Sequence, residues 1–452
     1  MTATSSAAAQ PKTGAKTKLG FGFMLLCLYF FMEYVRPQDL IEPLAALRIP
    51  MLLQIVLPLL WLRKNGMRLP PDPLIKWYLF FVFITALSVV FSVNQYWVLE
   101  STKLSVSYLL AAMLPAIAFL ANPAALGTFF RYWLVVQSLV AIYALLHQGV
   151  GTGSFLTDEN DLALAMGMAI PFAYFLIQSP RAGALFRAGC VLALALMVGA
   201  IVVSGSRGGF LGMVAVAMGI VYFSRNRLRN FILVALAAGV ALLVVPAGYK
   251  QEVQSIQNIE DATRNERLYS WGLAWDMFVD NPLGVGAGNF PFRVGEYEAR
   301  AGSGYDPVQM RSISGRAAHS LYFTLIPELG IAGIVAFTVM AVGVARRARE
   351  ATEAIEAKPD ATPMELELAL LGRAMRVSLV GFLISGAFVT VLYYPHFWYL
   401  LGFAIALRVA VVGERFAPKT IPVFRQPIAL PEPVVSQPAD SREFRRGRLN
   451  RR

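Results

Sequence analysis

Apolar residues along this chain gather into long runs instead of alternating with polar ones. A helix that crosses a bilayer needs about 20 mostly apolar residues. Runs of that kind lie at 19–33, 44–62, 74–93, 104–120, 126–146, 161–178, 185–203, 208–223, 231–248, 318–344, 370–391 and 396–413. The pattern predicts an all-α polytopic membrane protein with about 12 transmembrane helices. One long polar segment, 249–317, separates the ninth run from the tenth. Within it Leu268, Trp271, Trp275 and Phe278 recur at spacings of three and four, predicting an amphipathic helix in the headgroup zone. Asn281-Pro282 should end that helix. A turn with Gly284, Gly286 and Gly288 follows, either a plain turn or a backbone N–H cradle for phosphate.

Composition agrees. Of 452 residues, 57% are hydrophobic and only 15% charged, with mean hydropathy +0.56. Soluble domains carry about 25% charged residues, so a disordered chain and a large soluble enzyme are both excluded. The net charge of +12 would suggest a nucleic-acid partner in a soluble protein, but its placement points elsewhere. Clusters such as Arg63, Lys64 and Arg68, Arg225, Arg227 and Arg229, and Arg346, Arg347 and Arg349 fall between runs on one side. The positive-inside rule then sets both termini in the cytoplasm and segment 249–317 outside. The expected organisation is a cytoplasmic segment 1–18, helices one to nine over 19–248, the periplasmic loop 249–317, helices ten to twelve over 318–413, and a disordered basic cytoplasmic tail 414–452. The first span is expected to remain uncleaved, since no small-residue cleavage site follows it.

Cys27 and Cys190 lie inside apolar runs and supply neither a disulfide framework nor a metal site. Glu33, Asp39 and Glu42 are carboxylates able to meet a divalent metal, yet no second ligand cluster accompanies them. No cofactor or metal is therefore expected. Asp158, Glu159, Asn160 and Asp161 precede the sixth run and suit a solvated helix cap.

A few residues are costly to keep where they lie. Arg207 sits in a short hairpin on the side that the charge rule disfavours; it reads either as a snorkelling arginine or as an anion clamp. Arg264 and Arg267 open the loop helix, at the end that repels cations unless a shared anion is present. Arg311 and Arg316 add further positive charge. His319 begins the tenth run, where an imidazole of ordinary pKa about 6.5 can accept a proton. Glu328, roughly 13 Å deeper along the helix, is an ionisable group at membrane depth and hence a functional candidate. Pro327 beside it should kink the helix, while Gly330 and Gly333 permit close packing.

At these residues a resemblance emerges. His319-Ser320, nine residues, then Gly330-x-x-Gly333 resembles the signature of the O-antigen ligase and polymerase superfamily of bacterial membrane glycosyltransferases. Arg207 followed by three residues and Leu211 is similar to the arginine motif of that family. The stretch Arg267–Trp271 leading into "NPLGVGAGNF" resembles its long periplasmic loop, and the segment around Asn160 is a weaker match. Together these cover about residues 155–345. The resemblance implies a glycan transferase of the bacterial inner membrane, in cell-surface polysaccharide or lipopolysaccharide biosynthesis. Its donor would be an undecaprenyl-diphosphate-linked glycan, used at the periplasmic face without nucleotide sugar or metal. It also implies His319 as general base and Arg207 and Arg267 as diphosphate contacts. Arg264, Arg316, Asn160 and Glu328 are further candidate substrate-binding residues. The acceptor hydroxyl stays open among a lipid A core, another lipid-linked glycan and a protein, as in a ligase, a polymerase or a protein O-oligosaccharyltransferase. A flippase or transporter of the lipid-linked sugar, or a metal-dependent enzyme using the acidic first loop, are readings of other classes.

Overall fold

Helix boundaries in the computed structural model follow local chemistry. It describes residues 19–224, 226–229, 231–232, 262–301 and 312–413. Asp72 and Asn122 cap α5 (Pro73–Leu87) and α8 (Pro123–Leu146) by accepting from the second backbone N–H, each followed by a proline at the first helical position. Asp158 caps α9 (Glu159–Ile177) in the same way, with Glu159 and Asp161 in the first turn, as expected of the acidic patch. Ser206 caps α11 (Arg207–Phe223) after α10 (Ala184–Val203). A capping box of Thr362 and Glu365 opens α15 (Pro363–Gly386).

The remaining elements are α1 (Phe21–Tyr34), the short α2 (Pro37–Leu40) and α3 (Glu42–Ala46), and α4 (Ile49–Asn65). Next, α6 (Gln95–Ser107) runs through a π-helical segment, Tyr108–Met113, into α7 (Leu114–Phe119). Later come α12 (Ala262–Asp280), α13 (Phe290–Ala301), α14 (Leu321–Glu356) and α16 (Pro395–Val412). Among the described residues all regular structure is helical, and the chain is a multi-pass membrane protein.

Eight described helices are long and apolar enough to cross a bilayer, and α1 and α11 are shorter apolar helices. The expected count of about 12 is therefore not reached among the described residues. The run at 44–62 is divided: α3 and a turn take its start, leaving α4 with 17 residues. The run at 231–248 lies almost wholly outside the described residues, and 1–18, 249–261 and 414–452 lie entirely outside them. The run at 318–344 becomes a helix of 36 residues that extends to Glu356.

Segments expected to share the cytoplasmic side do meet one another. Arg347 bridges Asp72 at 2.8 Å, and Arg408 joins Glu350 at 2.8 Å. Arg131 and Arg181 both pair with Glu367, which also accepts from Ser179 and is fully buried. Removing that carboxylate leaves two guanidinium groups facing each other. Glu367→Ala should therefore cost on the order of 3 kcal/mol, read as a lower melting temperature in detergent.

Candidate functional site

Two packed units frame the end of the bundle where His319 lies. One is a small second core formed by α12, α13 and residues 312–318, with Leu273, Ala274, Met277, Phe290, Val294 and Ala318 buried in it. The other is the main bundle, in which α11 packs tightly on α15: a Cβ on Gly212 would lie 1.7 Å from the Ser385 hydroxyl. Phe388, just beyond α15, bridges the two. Its ring lies 6.3 Å from that of Trp271, and its Cβ stands 2.9 Å from where a Cβ on Gly208 would be. Gly208, the residue after Arg207, is thereby linked through Phe388 to Trp271 of the loop helix.

His319 sits between two clamped neighbours. Ala318 is buried in the small core, and its carbonyl accepts from the Trp271 indole at 2.9 Å. Ser320 is buried and caps α14 by accepting from the Phe323 N–H. Trp271 stacks on Phe323 with centroids 5.1 Å apart. Between these fixed points His319 adopts φ +47°, a left-handed conformation costing about 1–2 kcal/mol for a residue with a Cβ. The clamped neighbours on either side hold that strained conformation in place, while His319 itself stays exposed.

Electrostatics prepare the ring as a base. Crowding on its protein side, then the positive charge of Arg267, pull the His319 pKa below its ordinary value, with Asp158 opposing and Arg316 reinforcing. Both effects favour the neutral imidazole, the form able to take a proton. Arg267 and Arg316 thus lie within electrostatic reach of His319. Arg316 also pairs with Glu266 at 3.0 Å, an exposed pair that a ligand anion can displace at small cost. Arg264 is exposed on the first turn of α12. Asn160 accepts from the Ser206 hydroxyl at 2.7 Å and donates to Asp158 at 2.8 Å. It therefore ties the start of α9 to the residue before Arg207. Arg311 lies outside the described residues.

Glu328 is placed differently. It is 2% exposed and receives the Gly288 N–H at 2.8 Å, the Phe290 N–H at 3.2 Å and the Tyr393 hydroxyl at 2.9 Å. The glycine turn thus does form an N–H cradle, and its anion is a carboxylate of the same chain. Further bonds dock the turn on α14: Val285 N–H to the Pro327 carbonyl, Gly286 N–H to the Glu328 carbonyl, and Ile331 N–H to the Pro282 carbonyl. The last two flank Gly330, whose φ +58°, ψ −154° breaks the helix. The break expected at Pro327 lies three residues later, because the turn inserts there. Asn289, fully buried, clips the other side of the turn to the backbone of Asn94.

The expected apolar face of the loop helix divides. Trp271 turns inward, whereas Leu268 and Trp275 stay about half exposed. The buried face is Ser270, Leu273, Ala274 and Met277. Sequence reasoning also missed α13, whose buried Phe290, Val294 and Tyr297 recur at spacings of four and three; that periodicity was the available signal. In the acidic first loop, Asp39 pairs with Arg36 at 2.6 Å, and Glu33 accepts from the Tyr399 hydroxyl.

A family model described as O-antigen ligase matches residues 192–338, from within α10 to beyond the break in α14. The match agrees with the resemblance carried by the histidine and arginine motifs. No curated protein matches the chain.

Proposed function

We propose that this protein is an O-antigen ligase-type glycan transferase. It moves a glycan from an undecaprenyl-diphosphate donor to an acceptor hydroxyl at the periplasmic face of the bacterial inner membrane. The observation that carries this reading is an imidazole held in a strained backbone, on which Arg267 and Arg316 act electrostatically. The family match over this region supports the same reaction class.

His319 takes the proton of the acceptor hydroxyl as its oxygen bonds to the anomeric carbon. The bond from that carbon to the diphosphate oxygen breaks, and its electron pair leaves with undecaprenyl diphosphate. Arg207 and Arg267 hold that developing charge; Arg264, Arg316 and Asn160 line the approach. Guanidinium forks match phosphate oxygens and keep their charge. In a partly dry site such fixed charges stabilise a transition state more than they would in water. A bound diphosphate also offsets the positive field on His319, so the base strengthens once the donor is in place. Glu328 contributes by holding the glycine turn, at a distance from the reacting atoms.

Purified protein in liposomes, supplied with a lipid-linked glycan and three acceptors, tests the reading. A lipid A core glycosylated with EDTA present is the expected product. A lengthened lipid-linked glycan would identify a polymerase, and a glycosylated peptide a protein transferase. Movement of the donor without bond cleavage would identify a flippase, and loss of transfer on chelation a metal enzyme. Arg207→Lys keeps the charge and loses the fork; a roughly tenfold or greater loss in kcat/KM is expected. Unchanged kinetics would make Arg207 structural.

A further inference from the structure

A cavity of about 30 Å³ lies inside the main bundle, between α1, α8, α9, α15 and α16. Most of its wall is apolar, including Trp133, Met168 and Phe172. Besides Tyr34 and Tyr399, whose hydroxyls have protein partners, three polar side chains interrupt that wall: Gln137 of α8, Ser378 of α15 and His396 of α16. They are 1%, 0% and 4% exposed. Both amide atoms of Gln137, the Ser378 hydroxyl and His396 Nε2 have no protein partner. His396 Nδ1 is engaged, 3.3 Å from the Tyr34 hydroxyl. Four unpartnered polar atoms from three helices thus line one small space.

We propose that this cavity is a water-binding site within the membrane-spanning bundle, holding one or two ordered water molecules between Gln137, Ser378 and His396. Size limits the ligand first. A single water needs about 10–15 Å³ of such space, so a sugar, a lipid headgroup or a nucleotide is far too large. The donor inventory limits it next. The Gln137 amide both donates and accepts, as does the Ser378 hydroxyl, and His396 Nε2 does one or the other according to tautomer. The ligand must therefore offer both functions, as water does. A metal cation fits poorly, since no carboxylate lines the cavity and the amide N–H groups of Gln137 would face it. An apolar ligand would leave every polar atom unpaired at membrane depth, where unsatisfied groups are costly. The site is independent of the catalytic reading: His396 lies on α16, whereas His319 precedes α14, and His396 is walled off from solvent.

Gln137→Leu tests the proposal on the full chain in nanodiscs, since leucine nearly matches glutamine in volume while removing both polar atoms. In a hydrated site the change strands Ser378 and His396 Nε2, and the melting temperature falls by several degrees. In a dry site it removes two unpaired atoms, and the melting temperature rises or holds. Either of those outcomes overturns the proposal. A high-resolution cryo-EM map of the unaltered protein gives a second readout that does not depend on the variant folding. Density within hydrogen-bond distance of Gln137 and of either Ser378 Oγ or His396 Nε2 is expected; a clear map without it overturns the assignment.

Discussion

His319→Ala is expected to lower glycan transfer by about 10²–10⁴-fold, with donor binding to the liposome-embedded protein nearly unchanged. The same position should carry the pH dependence. Activity requires the neutral imidazole, and the pKa of His319 is lowered from its ordinary value. kcat/KM should therefore fall as pH drops, through a midpoint lower than that of an ordinary histidine. In the donor complex the diphosphate offsets Arg267, so the acid limb of kcat should lie at higher pH than that of kcat/KM. Arg267→Gln removes a charge that lowers the pKa and should move the kcat/KM midpoint upward. Full turnover by His319→Ala, or an acid limb that ignores Arg267, would remove His319 as the base. Stability separates chemistry from fold at this residue. Glycine adopts φ +47° freely, so His319→Gly should be at least as stable as His319→Ala, although both are inactive.

Gly330→Ala should be strongly damaging. A Cβ there would lie 2.2 Å from the Pro282 carbonyl oxygen, 2.6 Å from the Leu283 carbonyl carbon and 2.8 Å from the Gly284 nitrogen. All three are backbone atoms that cannot rotate away. The conformation at φ +58°, ψ −154° is also nearly confined to glycine. A loss of about 3 kcal/mol or more is expected, together with loss of transfer, since the turn that docks here leads into both α13 and the small core holding Ala318. Glu328→Gln should be milder. Its amide would face the Phe290 N–H donor, while the two groups on the other oxygen keep an acceptor. Gly272→Ala is the control: nothing lies within 4 Å of its added Cβ, and alanine favours a helix interior by about 1 kcal/mol. Equal melting temperatures for Gly330→Ala and the parent, measured by differential scanning fluorimetry, would show that the break is not held by this contact.

The histidine motif was legible in the sequence as a spacing, and its physical meaning became legible only in three dimensions. His319 and Ser320 are the residue in strained backbone and the cap of α14; Gly330, ten residues past the serine, is where the loop enters the helix. Glu328 illustrates the limit. Its depth marked it as functional, but nothing local indicates that its partners are backbone N–H groups 38 and 40 residues earlier. Trp271 is similar. Its spacing with Leu268 and Trp275 predicts a shared lipid-facing stripe, yet its indole is needed by the Ala318 carbonyl, and that pairing overrides the periodicity.

Hydropathy and capping residues by themselves determined the helical class and most helix positions. These follow from how a single stretch of chain meets water, lipid or its own backbone. Only the tertiary structure decided that Arg267 and Arg316 act on His319, that Glu328 occupies the glycine cradle, and that Gln137, Ser378 and His396 share one cavity. Each depends on groups far apart in the chain, which are brought together by packed helices and carry no mark of one another in their local sequence.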